Sequence, residues 1–295
     1  MVIKILEESS LKSCIIFGAG SAIAKNFMQN YQDHLEIHAF ARKIDKTFNN
    51  VKSYATNYED LDQFSELINK VEYIIFCIGV TNASDQTIKD VNIGIFDKIF
   101  AKITNKKKVV FISSAAILFN KGAYVESKLH GEQYLEKSLH DYISLRPSVM
   151  HGPFDKNNII NMQNFIKKMP FIPVIAPNYV IQPVYMPDIA SVIYKAIEND
   201  KFTNKNYTIS GPNQIKLYKV FKLLKHKLKS TKLLIPIPLK PVQIVVKILS
   251  YVLPKDKIMA HQILNMKIHS PFDSSELKND YDYQPQSFEE TLFNY

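Results

Sequence analysis

A tyrosine and a lysine four residues apart, Tyr124 and Lys128, are the side chains of this sequence best suited to acid–base chemistry. If the segment is helical, this spacing places both side chains on one face, about one turn apart. A tyrosine normally keeps its proton up to about pH 10, and a nearby ammonium group favours the phenolate and lowers that pKa. The pair therefore predicts a tyrosine that exchanges a proton with a substrate oxygen near neutral pH. The alternative is a solvated helix face that happens to carry both residue types.

A short apolar run followed by small residues predicts a dinucleotide-binding turn near the start of the sequence. Residues 13–17 have the length and apolarity of a buried parallel strand, and residues 18–24 read Gly-Ala-Gly-Ser-Ala-Ile-Ala before a helical segment. Small residues let the backbone approach a pyrophosphate, which the amides of a helix N-terminus can then bind. Because Ile23 replaces the third glycine of G-x-G-x-x-G, small residues at 18, 21 and 24 give the better spacing. An ordinary strand-to-helix turn is the alternative.

Strand-like and helix-like segments alternate through the first 150 residues or so, which indicates a Rossmann-like, doubly wound parallel sheet of the α/β class. The predicted strands cover residues 13–17, 35–40, 51–54, 73–78, 109–112 and 142–145, with helices over 58–68, 93–103, 124–139 and 188–198. Prolines after residue 152 mark irregular connections, and a strand at 207–209 is expected to return to the main sheet. We therefore expect a dinucleotide-binding domain over residues 1–152, to which residues 180–210 return. A smaller, mostly helical substrate-binding lobe is expected over residues 153–295.

Composition excludes several classes of protein. Of the 295 residues, 46% are hydrophobic and 22% are charged, which is typical of a globular chain rather than a disordered one. Cys14 and Cys77 lie in apolar runs, so we expect buried free thiols, and no metal-ligand spacing is present. No signal-peptide-like stretch or spanning segment of about 18 apolar residues is found, which favours a cytoplasmic location. The net charge of +9 suits phosphate-bearing ligands, although scattered lysines also fit a Lys-rich composition, and no nucleic-acid-binding motif accompanies it.

Polar and small residues follow each predicted strand, at the edge where open parallel sheets bind ligands. The first of these is the 18–24 turn, and the others are Arg42, Asp60 with Leu61, Gly79 and Ser114. An acid after the second strand usually holds the ribose 2′-hydroxyl of NAD, whereas an arginine accommodates a 2′-phosphate. Arg42 therefore favours NADP over NAD, with an exposed basic loop as the alternative.

Several motifs resemble those of the extended short-chain dehydrogenase/reductase superfamily, in its NAD-dependent epimerase/dehydratase branch that acts on nucleotide sugars. The resemblance covers about residues 13–225. Its motifs are Ser113–Leu118 at a strand end, Tyr124–Glu132 as Y-x-x-S-K-x-x-x-E, Asp90–Asn92, Arg146–Pro153 as R-P-x-x-x-x-G-P, and Gln182–Ala190. Three features depart from the family pattern: the glycine motif keeps only its first glycine in family register, the segment between Ser114 and Tyr124 is short, and Ile117-Leu118-Phe119 replaces the usual Val-Tyr-Gly.

The resemblance implies a chemistry and a set of site residues. Tyr124 is expected to act as general acid/base, Lys128 to lower the pKa of Tyr124 and bind the nicotinamide ribose, and Ser114 (with Ser113 as the fallback) to polarise the substrate oxygen. Asn92 is expected to hold local geometry or a water relay, although it could also cap a helix. The implied cofactor-binding residues are Gly18, Gly20, Ser21, Ala22, Ile23, Arg42, Asp60, Leu61, Cys77, Gly79, Tyr124, Lys128 and Pro147. The implied substrate-binding residues are Ser114, Arg146, His151 and Gln182.

Three hypotheses follow. The first is an NAD(P)-dependent reductase or 4-epimerase of a nucleotide sugar; Ala115 and Ala116 stand where a dehydratase would carry acids. The second is a non-catalytic or atypical NAD(P)H-binding scaffold of the same fold, suggested by the altered glycine motif and short loop. The third is peripheral membrane contact through an amphipathic segment at 242–252, with packing in the second lobe as the commoner fate. The sequence is also compatible with a homodimer. A helix at 216–232 would carry a basic face, which either attracts phosphates or is simply solvated.

Overall fold

The computed structural model describes residues 11–43, 47–81, 83–249 and 271–295, and the side chains of these except 245–249. Contacts divide the chain into two compact units. The first comprises the described residues up to Ile117, Lys121–Leu145 and Ala190–Tyr207. The second comprises Leu118–Asn120, Arg146–Ile189 and the described residues from Thr208 onward. The chain thus leaves the first unit at residue 146, and residues 190–207 return to it.

A seven-stranded sheet has the order β3-β2-β1-β4-β5-β6-β11, and the strands from β3 to β6 pair in parallel. The strands are β1 (Ser13–Phe17), β2 (Glu36–Ala41), β3 (Val51–Ala55), β4 (Tyr73–Phe76), β5 (Lys108–Ile112), β6 (Asp141–Pro147) and β11 (Lys205–Ile209). The central strands are fully buried because helices cover a doubly wound sheet on both faces. The predicted Rossmann-like sheet is confirmed, including the return of the 207–209 strand beside β6.

The helices of the first unit alternate with these strands, and aromatic side chains pack between the helices and the sheet. They are α1 (Ala22–Tyr31), α2 (Ser65–Lys70), α3 (Asp85–Lys89), α4 (Ile95–Phe100) and α5 (Ala123–Lys137), followed in the chain by α7 (Met186–Glu198). Phe76, Phe96 and Phe111 meet in the core, with ring centroids 5.1–5.8 Å apart. This packing fixes α4 against β4 and β5, whose carboxyl ends lead into the site described below.

Two predicted helices differ from the structure. The helix expected over 58–68 starts later, with a 3₁₀ turn at Asp62–Phe64 and then α2, because Tyr58 has a positive φ of 69° and lies in a loop. The helix expected from residue 93 is the end of a longer helical segment: α3 passes through a π-helical turn at Asp90–Gly94 into α4. A π turn widens the helix by one residue and often marks a functional position.

The second unit has its own core of aliphatic and aromatic side chains, among them Ile159, Ile166, Val220 and Leu224. Besides the expected helices it holds short strand pairs. Its elements are β7 (Met150–His151), α6 (Ile159–Lys168), β8 (Ile172–Ile175), β9 (Val180–Ile181), β10 (Val184–Tyr185), β12 (Ile215–Lys216), α8 (Leu217–Lys227), β13 (Leu234–Ile237) and α9 (Leu239–Leu249). Two further helices span Ser275–Tyr281 and Phe288–Thr291.

The amphipathic segment expected at 242–252 begins within α9, but the side chains from 245 onward lie outside the described residues. Within the described part of the chain, no helix has both the length and the apolarity required to cross a bilayer.

Candidate functional site

The turn after β1 requires glycine at its first position. Gly18 has a φ of +86°, and a Cβ there would lie 2.7 Å from the Ile78 amide nitrogen and 2.8 Å from the Cys77 carbonyl carbon. Ser21 caps α1 by accepting a hydrogen bond from the Ala24 amide at 3.2 Å. The amides of Ala22 and Ile23 in the same first turn have no acceptor within the helix. These amides, together with the close approach of the backbone at Gly18, could hold a pyrophosphate.

The Tyr58 side chain holds this turn in place through hydrogen bonds, a role that the sequence pattern did not predict. Its hydroxyl donates to the Phe40 carbonyl oxygen at 2.8 Å and accepts from the Gly18 amide at 3.1 Å. The same carbonyl oxygen accepts from the Ala19 amide at 3.0 Å, so one buried phenol joins the ends of β1 and β2 to the loop after β3. The available signal was Thr56-Asn57, since Thr and Asn favour turns, and the Thr56 hydroxyl accepts from the Tyr58 amide at 2.9 Å.

We expect Tyr58→Phe to weaken dinucleotide binding about fivefold, because the turn loses a buried hydrogen bond that is worth about 1 kcal/mol. The measurement is a fluorescence titration with NADPH and with NADH. Tyr54→Phe is the matched control. This variant loses a hydrogen bond of similar length, between the Tyr54 hydroxyl and His38 Nδ1 (3.1 Å), which does not involve the turn after β1. Equal dinucleotide affinity of the two variants would show that the Tyr58 hydroxyl does not position the turn.

Ser114 and Tyr124 lie beside each other beyond the end of β5, where the Ser114 hydroxyl lowers the pKa of the phenol. Ser114 Oγ accepts from the Ala116 amide at 3.2 Å, which leaves the hydroxyl proton free to be donated to the phenol oxygen. Tyr124 lies in the first turn of α5, after Gly122. The predicted juxtaposition of these two side chains is therefore present in the structure. Ser113, the fallback residue, is buried, and its hydroxyl has no hydrogen-bond partner among the described residues.

Lys128 is buried at the same edge and is held by main-chain carbonyls. Its Nζ donates to the carbonyl oxygens of Ile112 at 2.8 Å and Ile78 at 3.0 Å, at the ends of β5 and β4. An ammonium has three donors, so one N–H is left for a ligand. Gly79 makes room for this amine, since a Cβ there would lie 3.0 Å from Nζ. Burial lowers the pKa of Lys128 to about 8, so the group is a cation below that pH.

The expectation that Lys128 lowers the pKa of Tyr124 is not met. Burial raises the pKa of Tyr124, and the opposing influence is the neighbouring Ser114 hydroxyl, not the lysine. The reason is geometric: Lys128 Nζ is bound to two carbonyls and lies 6.0 Å from the centroid of the phenol ring. In this structure, desolvation of the phenol therefore outweighs the influence of the amine.

Asn92 connects α5 to the segment after β4. From the π-helical turn its Oδ1 accepts from the Val80 amide at 2.8 Å, and its Nδ2 donates to the Val80 carbonyl at 3.1 Å and to Ser127 Oγ at 3.1 Å. Ser127 Oγ in turn donates to the Tyr124 carbonyl oxygen at 2.7 Å. Of the roles considered for Asn92, the structure shows the one that holds geometry. Asn92 does not cap a helix, because it lies inside a continuous helical segment.

The other expected cofactor residues of the first unit divide into exposed and buried groups. Arg42 is exposed directly after β2, and Asp60 is exposed after β3. Leu61 is only 2% exposed and its side chain packs in the core, which leaves only its main chain for a contact with a dinucleotide. Cys77 is buried, and burial raises the pKa of the thiol to about 12, with a smaller opposing influence from Ser21. The expected free, buried thiols are confirmed for Cys14 and Cys77.

Two expected substrate residues lie in the interior of the second unit. His151 is completely buried, with its Nδ1 3.3 Å from the Tyr295 hydroxyl and its ring edge-on to Phe288 at 4.9 Å. Burial lowers the pKa of His151 to about 4, so the ring is neutral near pH 7. His151 therefore supports the core of this unit and is not placed to contact a substrate.

Gln182 is likewise a structural residue. Its Nε2 donates to Ser210 Oγ at 3.0 Å and to the Gly211 carbonyl at 2.8 Å, and its Oε1 accepts from the Phe272 amide at 2.9 Å. Both polar atoms are thus used internally, which corrects its assignment to substrate binding. Arg146 is half-buried, and Pro147 is buried at the end of β6.

Comparisons with solved structures identify proteins that share this fold. No protein-family profile and no curated protein sequence matches this chain. Among solved structures, UDP-N-acetylglucosamine 4-epimerase from Methanobrevibacter ruminantium M1, in complex with UDP-N-acetylmuramic acid, is similar with a TM-score of 0.73 at 17% identity, over 96% of each chain. UDP-glucose 4-epimerase from Thermotoga maritima, with UDP-glucose, has a TM-score of 0.73 at 16% identity, over 95% of this chain and 96% of that one.

A third similar structure is UDP-glucuronic acid 4-epimerase from Bacillus cereus, in complex with UDP-glucuronic acid and NAD. Its TM-score is 0.76 at 13% identity, over 95% of this chain and 96% of that one. Similarity across nearly the whole length of both chains shows that this protein has the same overall fold as these epimerases.

Proposed function

We propose that this chain is an NAD(P)-dependent reductase or 4-epimerase that acts on a nucleotide-activated sugar. The observation that carries the proposal is that Ser114 and Tyr124 lie together beyond the end of β5, with Lys128 anchored at the ends of β4 and β5. The cofactor fits the same unit, because the Gly18 turn and the first turn of α1 offer a close backbone and free amides.

In this mechanism Tyr124 exchanges a proton with the reacting substrate oxygen as general acid or base. The single hydroxyl proton of Ser114 faces the phenol of Tyr124 in the free chain, where it lowers the pKa of Tyr124, and turns to the reacting oxygen when substrate is bound. Lys128 directs its remaining N–H to a ribose hydroxyl of the dinucleotide, and Asn92 acts through Ser127 to hold the first turn of α5 in place. The nicotinamide ring supplies hydride acceptance and donation when the dinucleotide is bound.

The substrate class is supported by the ligands of proteins with this fold. The three epimerase structures contain UDP-linked sugars, and one also contains NAD. Keto-sugar reduction and 4-epimerisation need the same proton-transfer group, so the first unit is compatible with both. Ala115 and Ala116 leave no carboxyl group beside Ser114 for the elimination step of a 4,6-dehydratase. We therefore favour reduction or epimerisation.

The test is turnover with a panel of UDP-, dTDP- and GDP-sugars in the presence of NAD(H) or NADP(H). Epimerisation is followed by NMR of the sugar ring protons, and keto-sugar reduction by loss of absorbance of the reduced nicotinamide. The competing function is a dinucleotide-binding protein without sugar chemistry, and the raised pKa of Tyr124 is the observation that favours it. Tight dinucleotide binding without turnover of any sugar in the panel would support that competitor and exclude our proposal.

Arg42 supports a preference for NADP. Its guanidinium is exposed directly after β2, where a 2′-phosphate would be bound. We expect Arg42→Ala to weaken NADPH binding about tenfold or more, because a charge-assisted hydrogen bond is worth about 1.5–3 kcal/mol. NADH binding should change little. Isothermal titration of both dinucleotides checks this, and an equal loss for NADPH and NADH would contradict a contact with the 2′-phosphate.

A further inference from the structure

Positive charge is distributed very unevenly along the chain. Residues 201–255 contain twelve lysines and no aspartate or glutamate. Most of this stretch belongs to the second unit, where it forms α8, β13 and α9. Lys219 pairs with Glu289 and Lys227 bonds main-chain carbonyls near the end of the chain, so part of the charge has a local structural use. The lysines near the start of β13 need a different explanation.

Two large apolar side chains are exposed side by side at that point. β8 and β13 pair in parallel with Ile172 opposite Leu234, and the Ile172 amide donates to the Leu233 carbonyl at 2.8 Å. Ile172 and Leu234 face the core, so alternation turns the preceding residues, Phe171 and Leu233, outward. Phe171 is 45% exposed and Leu233 is 69% exposed.

Exposed lysines precede each member of this pair in the chain. Lys167 and Lys168 are exposed in the last turn of α6, just before Phe171. Lys229 is exposed in the turn after α8, which lies against the end of α6 because Lys232 Nζ donates to the carbonyl oxygens of Ile166 at 2.8 Å and Lys167 at 2.7 Å. We call Lys167, Lys168, Phe171, Lys229 and Leu233 the basic apolar patch.

We propose that the basic apolar patch docks this protein on an anionic lipid surface. Apolar side chains flanked by lysines match the two layers of such a surface: the phenyl and isobutyl groups enter the acyl boundary while the ammonium groups meet the phosphates. This inference goes beyond the proposed function and does not depend on it. A second copy of the chain is a poorer occupant, since two-fold pairing would oppose lysines with lysines. Nucleic acid is also a poorer occupant, because Phe171 offers a single ring for base stacking and its neighbour Leu233 is aliphatic.

The experiment is co-sedimentation of the full chain with vesicles of phosphatidylcholine alone or with about 30% phosphatidylglycerol, at low and high salt. We expect binding to the anionic vesicles at low salt, little binding to the neutral ones, and loss of binding in about 0.5 M NaCl. Lys167→Glu combined with Leu233→Ser should weaken vesicle binding at least about tenfold. Each lysine near an anionic surface strengthens binding about fivefold, and the double variant also loses an apolar side chain.

Lys137→Glu combined with Leu139→Ser is the matched control. It removes one exposed lysine and one exposed leucine (86% exposed) from the first unit, whereas the patch lies in the second unit. Retained vesicle binding in this control, with loss in the patch variant and unchanged thermal unfolding of both, supports the proposal. No binding to anionic vesicles, or binding that the patch variant keeps, overturns it. Self-association or duplex-DNA binding that the patch variant abolishes, without any vesicle binding, also overturns it.

Discussion

Tyr124→Phe is expected to lower kcat for the sugar reaction about a hundredfold to ten-thousandfold, with little change in dinucleotide affinity. The substitution keeps the ring but removes the hydroxyl that lies beside Ser114 beyond the end of β5. The range is that of a lost general acid or base. The measurement is steady-state turnover of whichever nucleotide sugar the panel identifies, together with a titration of the dinucleotide.

Tyr134→Phe is the matched control for this variant. Tyr134 lies on the same helix, α5, but its ring packs edge-on against Phe96 and Phe100 and has no contact with Ser114. It should retain full turnover. If Tyr124→Phe is as active as this control, the phenol has no part in proton transfer and the proposed mechanism is wrong.

Ser114→Ala separates positioning from proton transfer. The Ser114 hydroxyl lowers the pKa of a phenol that burial otherwise raises. Without it the phenol stays protonated to higher pH, so the step in which Tyr124 acts as a base should need more alkaline conditions. We expect the pH profile of kcat/KM to move upward for the variant. A merely structural effect would lower kcat/KM equally at all pH values.

The sheet was predictable because its signal is local. Parallel strands covered on both faces are continuous apolar runs, and the segment Ser13–Phe17 was predicted to the residue. The Tyr124–Lys128 spacing was equally readable, because residues four apart share a helix face whatever surrounds the helix. These features needed no knowledge of distant parts of the chain.

The hydrogen-bond partners of individual polar side chains could not be predicted in the same way. Gln182 lies in a motif-like segment, but its partner Phe272 is ninety residues away, and nothing near residue 182 signals that the amide is used internally. The loop conformation of Tyr58 was hidden by Leu61, Phe64 and Ile68, whose spacing mimics a helix. Its bonds to Phe40 and Gly18 depend on the order of the strands.

The pKa of Tyr124 illustrates a further limit of reasoning from spacing. A lysine one turn away suggests a lowered pKa, but spacing says nothing about desolvation or about what else binds the ammonium. In the fold, the carbonyl oxygens of Ile78 and Ile112 accept hydrogen bonds from the Lys128 ammonium group, and burial raises the pKa of the phenol. The same opposition of effects holds for any buried Tyr–Lys pair in which the lysine has competing acceptors.

The two glycines of the first turn should respond oppositely to alanine. At Gly18 an alanine meets a left-handed φ of +86° and two backbone atoms less than 3 Å from its Cβ. Left-handed strain of about 1–2 kcal/mol and overpacking of about 1–3 kcal/mol together give a loss of unfolding free energy of about 3 kcal/mol. At Gly20 nothing lies within 4 Å of an added Cβ, so Gly20→Ala should change stability by less than about 0.5 kcal/mol.

Urea unfolding of both variants measures this difference through the transition midpoint at constant slope. Dinucleotide binding adds a second comparison. Gly20→Ala keeps the fold but places a methyl group on the turn that is proposed to face the pyrophosphate, so its affinity should fall although its stability does not. A Gly20→Ala variant that binds the dinucleotide as well as the unmodified chain would place the pyrophosphate away from this residue. A Gly18→Ala variant of normal stability would mean that the turn adopts another backbone path, in which Gly18 does not approach Ile78.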